Sequence, residues 1–270
     1  MASEECARSA PIGVFDSGLG GLSVLQHIHQ TLPHEALLYV ADSGFAPYGD
    51  KSSAEILERS IAVTGFLLSK NIKALVVACN TATAAAITHL RLHYPDLIIV
   101  GMEPGLKPAS LLSKTKKVGV LATLSTIQSE KYRHLSTKLS AETGVEFIPQ
   151  ACVGLVDQIE KVDANADETR LLLKKYLNPL LAAKVDTLVL GCTHYPFVAD
   201  LIHELTHELT STLTNSRESI KLIDTGKAIA SQIQRLLVER NLTTTDDGAP
   251  DISVYSSGNP DRLKHACTQL

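Results

Sequence analysis

Apolar and polar positions alternate along this chain in two rhythms. Short runs of four to six apolar residues stand between longer stretches whose apolar positions recur at helical spacing. Pro11–Phe15, Ala36–Ala41, Ala74–Cys79 and Leu97–Gly101 read as buried strands. Leu22–Gln30, Ser52–Ser69 and the stretch from Asn80 to about Tyr94 read as the helices between them. Met102-Glu103-Pro104-Gly105 breaks the pattern, which then restarts. Strands are expected at Lys117–Leu121, Val145–Ile148, Thr187–Gly191, Ile220–Ile223 and Ile252–Ser256. Helices are expected at Thr126–Thr143, Leu155–Ala183, Val198–Leu213 and Lys227–Arg240. Strands alternating with helices predict βαβ units and mainly parallel sheets.

The restart is also a weak internal repeat. Ile12-Gly13-Val14-Phe15-Asp16-Ser17 resembles Val118-Gly119-Val120-Leu121-Ala122-Thr123. Each half later carries a strand that ends in cysteine, ALVVAC at 74–79 and TLVLGC at 187–192. The fold class expected is α/β, as two similar domains facing each other. The first is expected to comprise residues 11–103 and 214–270, the second 104–213. Residues 1–10 read as a loose tail, and a short polar segment is expected to close the chain.

Composition narrows the classes. The chain has 270 residues, 44% apolar and 20% charged, with a formal net charge of −4. No dense Lys/Arg block offers the basic face that nucleic acid requires. No apolar run approaches the ~18 residues of a membrane helix. The acidic start, MASEECARSA, lacks the apolar centre of a signal peptide, so a cytoplasmic protein is expected. The five cysteines (Cys6, Cys79, Cys152, Cys192, Cys267) form no Cys-x-x-Cys pair. That fits reduced thiols better than a disulfide framework or a zinc site. Cys6, Cys152 and Cys267 read as bystanders.

Several motifs can be set aside. Asp16-Ser17-Gly18-Leu19-Gly20-Gly21 is neither a dinucleotide fingerprint nor a P-loop, although such a turn can present backbone N–H groups to a small anion such as a carboxylate. His203-Glu204-Leu205-Thr206-His207 matches a zinc-protease pattern, but both histidines fall off the apolar face of their helix. His89 and His93 are equally weak, and no metal is expected.

Cys79 and Cys192 carry the stronger signal. Each ends a buried strand where parallel α/β sheets hold ligands. Asn80-Thr81 follows the first and Thr193-His194 the second, supplying donors and acceptors for a compact polar ligand. His194 lies near enough in sequence to exchange a proton with Cys192, and Asp16 is placed to do so for Cys79. One cysteine with a histidine would suit acyl transfer. Two unbonded cysteines suit proton transfer on both faces of one carbon. A thiol, with pKa near about 8.5, can act as base or acid near neutrality.

Taken together, the motifs Asp16-Ser17-Gly18-x-Gly20-Gly21, Pro47-Tyr48-Gly49, Cys79-Asn80-Thr81, Glu103-Pro104, Thr123-x-x-Thr126, Gly191-Cys192-Thr193-His194-Tyr195-Pro196 and Ser257-Gly258-Asn259-Pro260 resemble those of the glutamate racemases. These are cofactor-independent members of the aspartate/glutamate racemase superfamily, and the resemblance spans about Pro11 to Leu263. It implies two α/β domains about a pseudo-twofold axis, with the active site in the cleft between them. It also implies interconversion of L- and D-glutamate for peptidoglycan, no cofactor, and frequent dimers. Cys79 and Cys192 would be the acid/base pair. Asp16, Ser17, Tyr48, Gly49, Asn80, Thr81, Thr193 and His194 would hold the substrate, with Thr123 and Thr126 completing the pocket. One departure is Cys152-Val153-Gly154-Leu155-Val156-Asp157, where many relatives have Cys-Pro-x-Leu-Val-Glu. A racemase of aspartate or another small amino acid is a close alternative. A non-catalytic two-lobed amino-acid-binding protein and a cysteine hydrolase are alternatives from other classes.

Overall fold

The computed structural model describes residues 2–161, 167–214 and 219–268. Its strands are β1 (Ile12–Asp16), β2 (Leu37–Ala41), β3 (Ala74–Val77), β4 (Ile98–Gly101), β5 (Lys117–Ala122), β6 (Glu146–Ala151), β7 (Thr187–Gly191), β8 (Lys221–Ile223) and β9 (Ile252–Ser256). The helices are α1 (Ala2–Ser9), α2 (Leu22–Thr31), α3 (Ser53–Ser69), α4 (Asn80–His93), α5 (Leu106–Leu112), α6 (Leu124–Gln128), α7 (Glu130–Thr143), α8 (Leu155–Glu160), α9 (Asp167–Ala182), α10 (Ala199–Thr214), α11 (Gly226–Glu239) and α12 (Pro260–Cys267).

The chain divides into two compact units, Met1–Met102 with Gly226–Leu270, and Glu103–Thr225. The first holds a sheet in the order β4-β3-β1-β2-β9, the second a sheet in the order β6-β5-β7-β8. The strand pairings are parallel in both. Helices cover both faces of each sheet, which is why the strands are apolar at successive positions rather than alternate ones. In the first unit, Ile12, Val14 and Val76 enter one core cluster, while Phe15, Leu75 and Val77 enter the other. In the second, Leu121, Leu188 and Leu190 pack on one side and Val118, Val120 and Val189 on the other.

The weak internal repeat is a repeat of topology. If β5, β6, β7 and β8 are matched to β1, β2, β3 and β4, the two strand orders coincide, with β9 added to the first sheet. The registers coincide too. Gly13 pairs with Leu75, four residues before Cys79, and Gly119 pairs with Leu188, four residues before Cys192. The two cysteines are therefore equivalent positions of equivalent sheets.

Several expectations are refined by the structure. The N-terminal stretch, expected as a loose tail, is helical over residues 2–9. It forms α1, and its end is tied down where Arg8 Nε donates to the Asn241 carbonyl at 3.1 Å and Lys73 Nζ donates to the Arg8 carbonyl. The polar segment expected near the end of the chain is helical: it forms α12, capped by Asn259 and anchored by buried Leu263. The helices expected at 126–143 and 155–183 are each interrupted. Ser129 ends α6 and caps α7, and α8 stops at Glu160, with 162–166 outside the described residues. Finally, the chain returns to the first unit at Gly226 and not at 214, because β8 pairs with β7 and buries Ile220 in the second core. Most of the polar stretch expected to make that return, 215–218, lies outside the described residues.

Candidate active site

In the first unit, parallel pairing brings the ends of β1, β2 and β3 to one edge of the sheet. Asp16 and Ser17 leave β1, the turn bearing Tyr48 and Gly49 follows β2, and Cys79 follows β3 as the N-cap of α4. Ala82 N–H approaches the Cys79 sulfur at 3.4 Å, and Ser17 Oγ lies 3.7 Å from it. A backbone N–H at the positive end of a helix favours the thiolate, which is the form that can take a proton. Asn80 is buried, yet neither its amide nitrogen nor its amide oxygen has a protein partner. A buried amide left open in this way is costly unless a ligand answers it. Here the open group sits one residue from the thiol. Thr81 is buried beside it. Thr83 serves structure instead, linking β3 to the residue after β4 through Val77 and Met102.

The glycine-rich turn serves a carboxylate from within the chain. Gly21 N–H donates to Asp16 Oδ2 at 2.6 Å, and Asp16 is fully buried. The charged residue that a plain βα turn would not need is therefore held at the strand end by the turn that follows it, on the Cys79 side of the sheet edge.

The second unit repeats the placement with different chemistry. Cys192, Thr193 and His194 follow β7, and Thr123 follows β5, where it caps α6 and bonds Thr126 Oγ1 at 3.0 Å. The position matching Asp16 is Ala122, so the polar partner of Cys192 comes from elsewhere. His194 Nδ1 lies 3.8 Å from the Cys192 sulfur, and its Nε2 meets Glu160 Oε1 at 2.6 Å. The imidazole is buried, and the Glu160 side chain is 17% exposed. Thiol, imidazole and carboxylate thus form a line along which a proton on the ring is steadied by negative charge behind it. Glu160 is a site residue that the sequence reading missed. Asp157, the acidic residue of the motif that begins at Cys152, is exposed in the first turn of α8, whereas Glu160 is one turn further on. Gly154, at φ +81°, makes the left-handed turn that launches α8 beside the site.

The other cysteines stand in different settings. Cys152 is buried, and burial pushes its thiol up to about 12. Cys6 is exposed in α1, and Cys267 lies half-buried in α12. His203 and His207 are exposed on α10, where Glu204 pairs with Arg170 at 3.0 Å. His89 and His93 stack at 4.0 Å, and no cluster of three or more metal-ligating side chains occurs among the described residues.

The model of the Asp/Glu/Hydantoin racemase family matches residues 12–233. The chain belongs to this family. A glutamate racemase of Ectopseudomonas mendocina is 50% identical over 255 residues, covering 94% of this chain and 92% of its own length. Among solved structures, the Francisella tularensis glutamate racemase in complex with D-glutamate superposes with a TM-score of 0.80 at 28% identity, covering 97% of this chain and 93% of its own. The Escherichia coli enzyme, in complex with L-glutamate and the activator UDP-MurNAc-Ala, gives 0.78 at 30% identity, covering 96% and 95%. The racemase fold is therefore the fold of this chain, with two parallel sheets of matched order.

Proposed function

We propose that this racemase-family chain interconverts L- and D-glutamate without a cofactor, with Cys79 and Cys192 as its two acid/base groups. One thiolate takes the Cα proton and becomes a thiol. The other thiol gives its proton to the opposite face of the same carbon and becomes a thiolate. One C–H bond breaks and one forms, and no electrons leave the pair of reactants. The observation that carries this reading is the register match. Two buried thiols occupy equivalent positions of equivalent sheets, each with its own polar partner, Ser17 for Cys79 and His194 for Cys192. A single-nucleophile hydrolase or a simple binding protein has no use for the second.

Asp16, Ser17, Tyr48, Gly49, Asn80 and Thr81 would hold the substrate on the Cys79 side. Thr123, Thr126, Thr193 and His194 would do so on the Cys192 side. Relatives crystallised with D-glutamate and with L-glutamate support the choice of substrate. The product would supply peptidoglycan synthesis in the cytoplasm. Five free cysteines fit that reducing compartment, and none of the helices described is long and apolar enough to cross a membrane. A homodimer is the assembly that the resemblance implies.

Incubating pure protein with L-glutamate, and separately with D-glutamate, should take the circular dichroism signal to the same racemic end point, without added pyridoxal phosphate or metal. L-aspartate serves as the parallel substrate. Racemisation of aspartate in preference to glutamate would move the assignment to an aspartate racemase, and a static signal with both would refute it.

A further inference from the structure

Asp42, the residue after β2, has a fully buried carboxylate. Arg59 on α3 holds it with two bonds, Nη2 to Oδ1 at 2.9 Å and Nε to Oδ2 at 3.0 Å. Tyr48 donates its hydroxyl to Oδ2 at 2.5 Å. Burial alone would push the Asp42 carboxyl up, but the bonds from Arg59, Tyr48 and Ser257 outweigh it and hold the group below its usual range. Burial, with Asp42 beside it, pushes the Tyr48 phenol well up, so its proton stays in place as the donor.

Asp42 begins the turn that ends in Tyr48 and Gly49, and this turn is pinned at several points. Ser257, after β9, donates its N–H to the Ala41 carbonyl at 3.0 Å and accepts Gly44 N–H on its hydroxyl at 3.1 Å. A Cβ on Gly258 would come within 2.9 Å of the Gly44 nitrogen, so the two segments touch backbone to backbone. The Arg59 guanidinium lies 3.6 Å over the ring of Phe45, within the turn. Beyond Gly49 the chain enters α3 through a capping box formed by Ser52 and Glu55. The Tyr48 ring itself is buried in the core cluster that contains Cys79. With its phenol proton committed to Asp42, what this turn can offer a substrate is the backbone at Tyr48 and Gly49.

We propose that Arg59 and Ser257 are positioning residues for racemisation, acting through Asp42 to hold the Tyr48–Gly49 backbone at the height where it receives substrate beside Cys79. The inference rests on the functional reading above, in which this turn binds glutamate. It also gives the late Ser257-Gly258 motif, far from both cysteines in sequence, a task at the site. The arrangement is preorganisation. The buried charge is fully paired before substrate arrives, so no binding energy goes into ordering the turn.

The test is steady-state kinetics on Arg59→Gln, Arg59→Lys and Ser257→Ala in both reaction directions, with thermal unfolding measured alongside. Arg59→Gln should raise KM for both enantiomers about tenfold while kcat per folded molecule stays within about threefold, the pattern of lost uniform binding. Arg59→Lys should fall between it and the unaltered protein, because an ammonium keeps the charge but not the two-pronged geometry. Ser257→Ala should raise KM about two- to threefold with little change in unfolding temperature. If Arg59→Gln fails to fold, Ser257→Ala alone decides. KM values equal to those of the unaltered protein, whether or not the unfolding temperature falls, would overturn the proposal. Cys79→Ser assayed in the same series separates the two failures. Full activity there refutes the thiol mechanism, whereas lost activity there with unmoved KM in the other variants refutes only the positioning role.

Discussion

Replacing either Cys79 or Cys192 with serine should lower kcat for glutamate racemisation by roughly 10²–10⁴-fold, the usual worth of a positioned acid/base group. Serine keeps the shape within one atom and removes the chemistry, since a hydroxyl neither ionises near neutral pH nor accepts a proton readily. Because inversion needs one proton removed and one delivered in each turnover, loss of either thiol stops the cycle. The double variant should be little worse than the singles, as for residues that act as a unit. Cys152→Ser is the internal control. That thiol is buried and pushed up to about 12, so turnover should persist. The change in circular dichroism with time measures all four. Full activity in either single variant would remove that cysteine from the mechanism.

Glu160→Gln should cost about 10²-fold in kcat, near the low end for acid/base assistance. The amide preserves the contact with His194 Nε2, seen at 2.6 Å, but not the charge behind the ring. When Cys192 gives up a proton toward His194 Nδ1, 3.8 Å away, nothing then balances the positive imidazole. Glu160→Asp keeps the charge and shortens the reach, so its loss should be smaller. Asp157→Asn should leave kcat unchanged, because that carboxylate is exposed. Equal losses in the 157 and 160 variants would mean that α8 merely needs acid for stability, and the line from thiol to carboxylate would be wrong.

The parts of the structure legible in the sequence were those that a strand or its end specifies locally. Runs such as Ala74–Val77 and residues 188–190 are apolar at every position because both faces of their sheets are covered, and such runs stand out from any helical pattern. Cysteine followed by amide or hydroxyl residues at the end of these runs marked the candidate site. What stayed hidden depends on contacts across long sequence distances. Glu160 meets His194 over 34 residues, and Gly44 meets Ser257 over 213. Neither distance leaves a local pattern. β8 was legible as a strand, but its sheet was not, since three residues carry no signal of which neighbour they join. The turn at Asp16–Gly21 looked ready for an external anion, and the fifth residue beyond Asp16 turned out to bind Asp16 itself.

The central claim is that two groups, on opposite faces of one carbon, divide the proton transfer. Its most direct test is racemisation of L-glutamate in heavy water, stopped early, with the enantiomers separated and Cα deuterium read by proton NMR. The account predicts that the D-glutamate formed carries deuterium at Cα, delivered from a solvent-exchanged thiol, while recovered L-glutamate keeps its proton. Starting from D-glutamate, the labels should be reversed. Deuterium entering the recovered substrate as fast as product forms would mean that one group both removes and returns the proton, and would contradict the assignment of Cys79 and Cys192 as a pair.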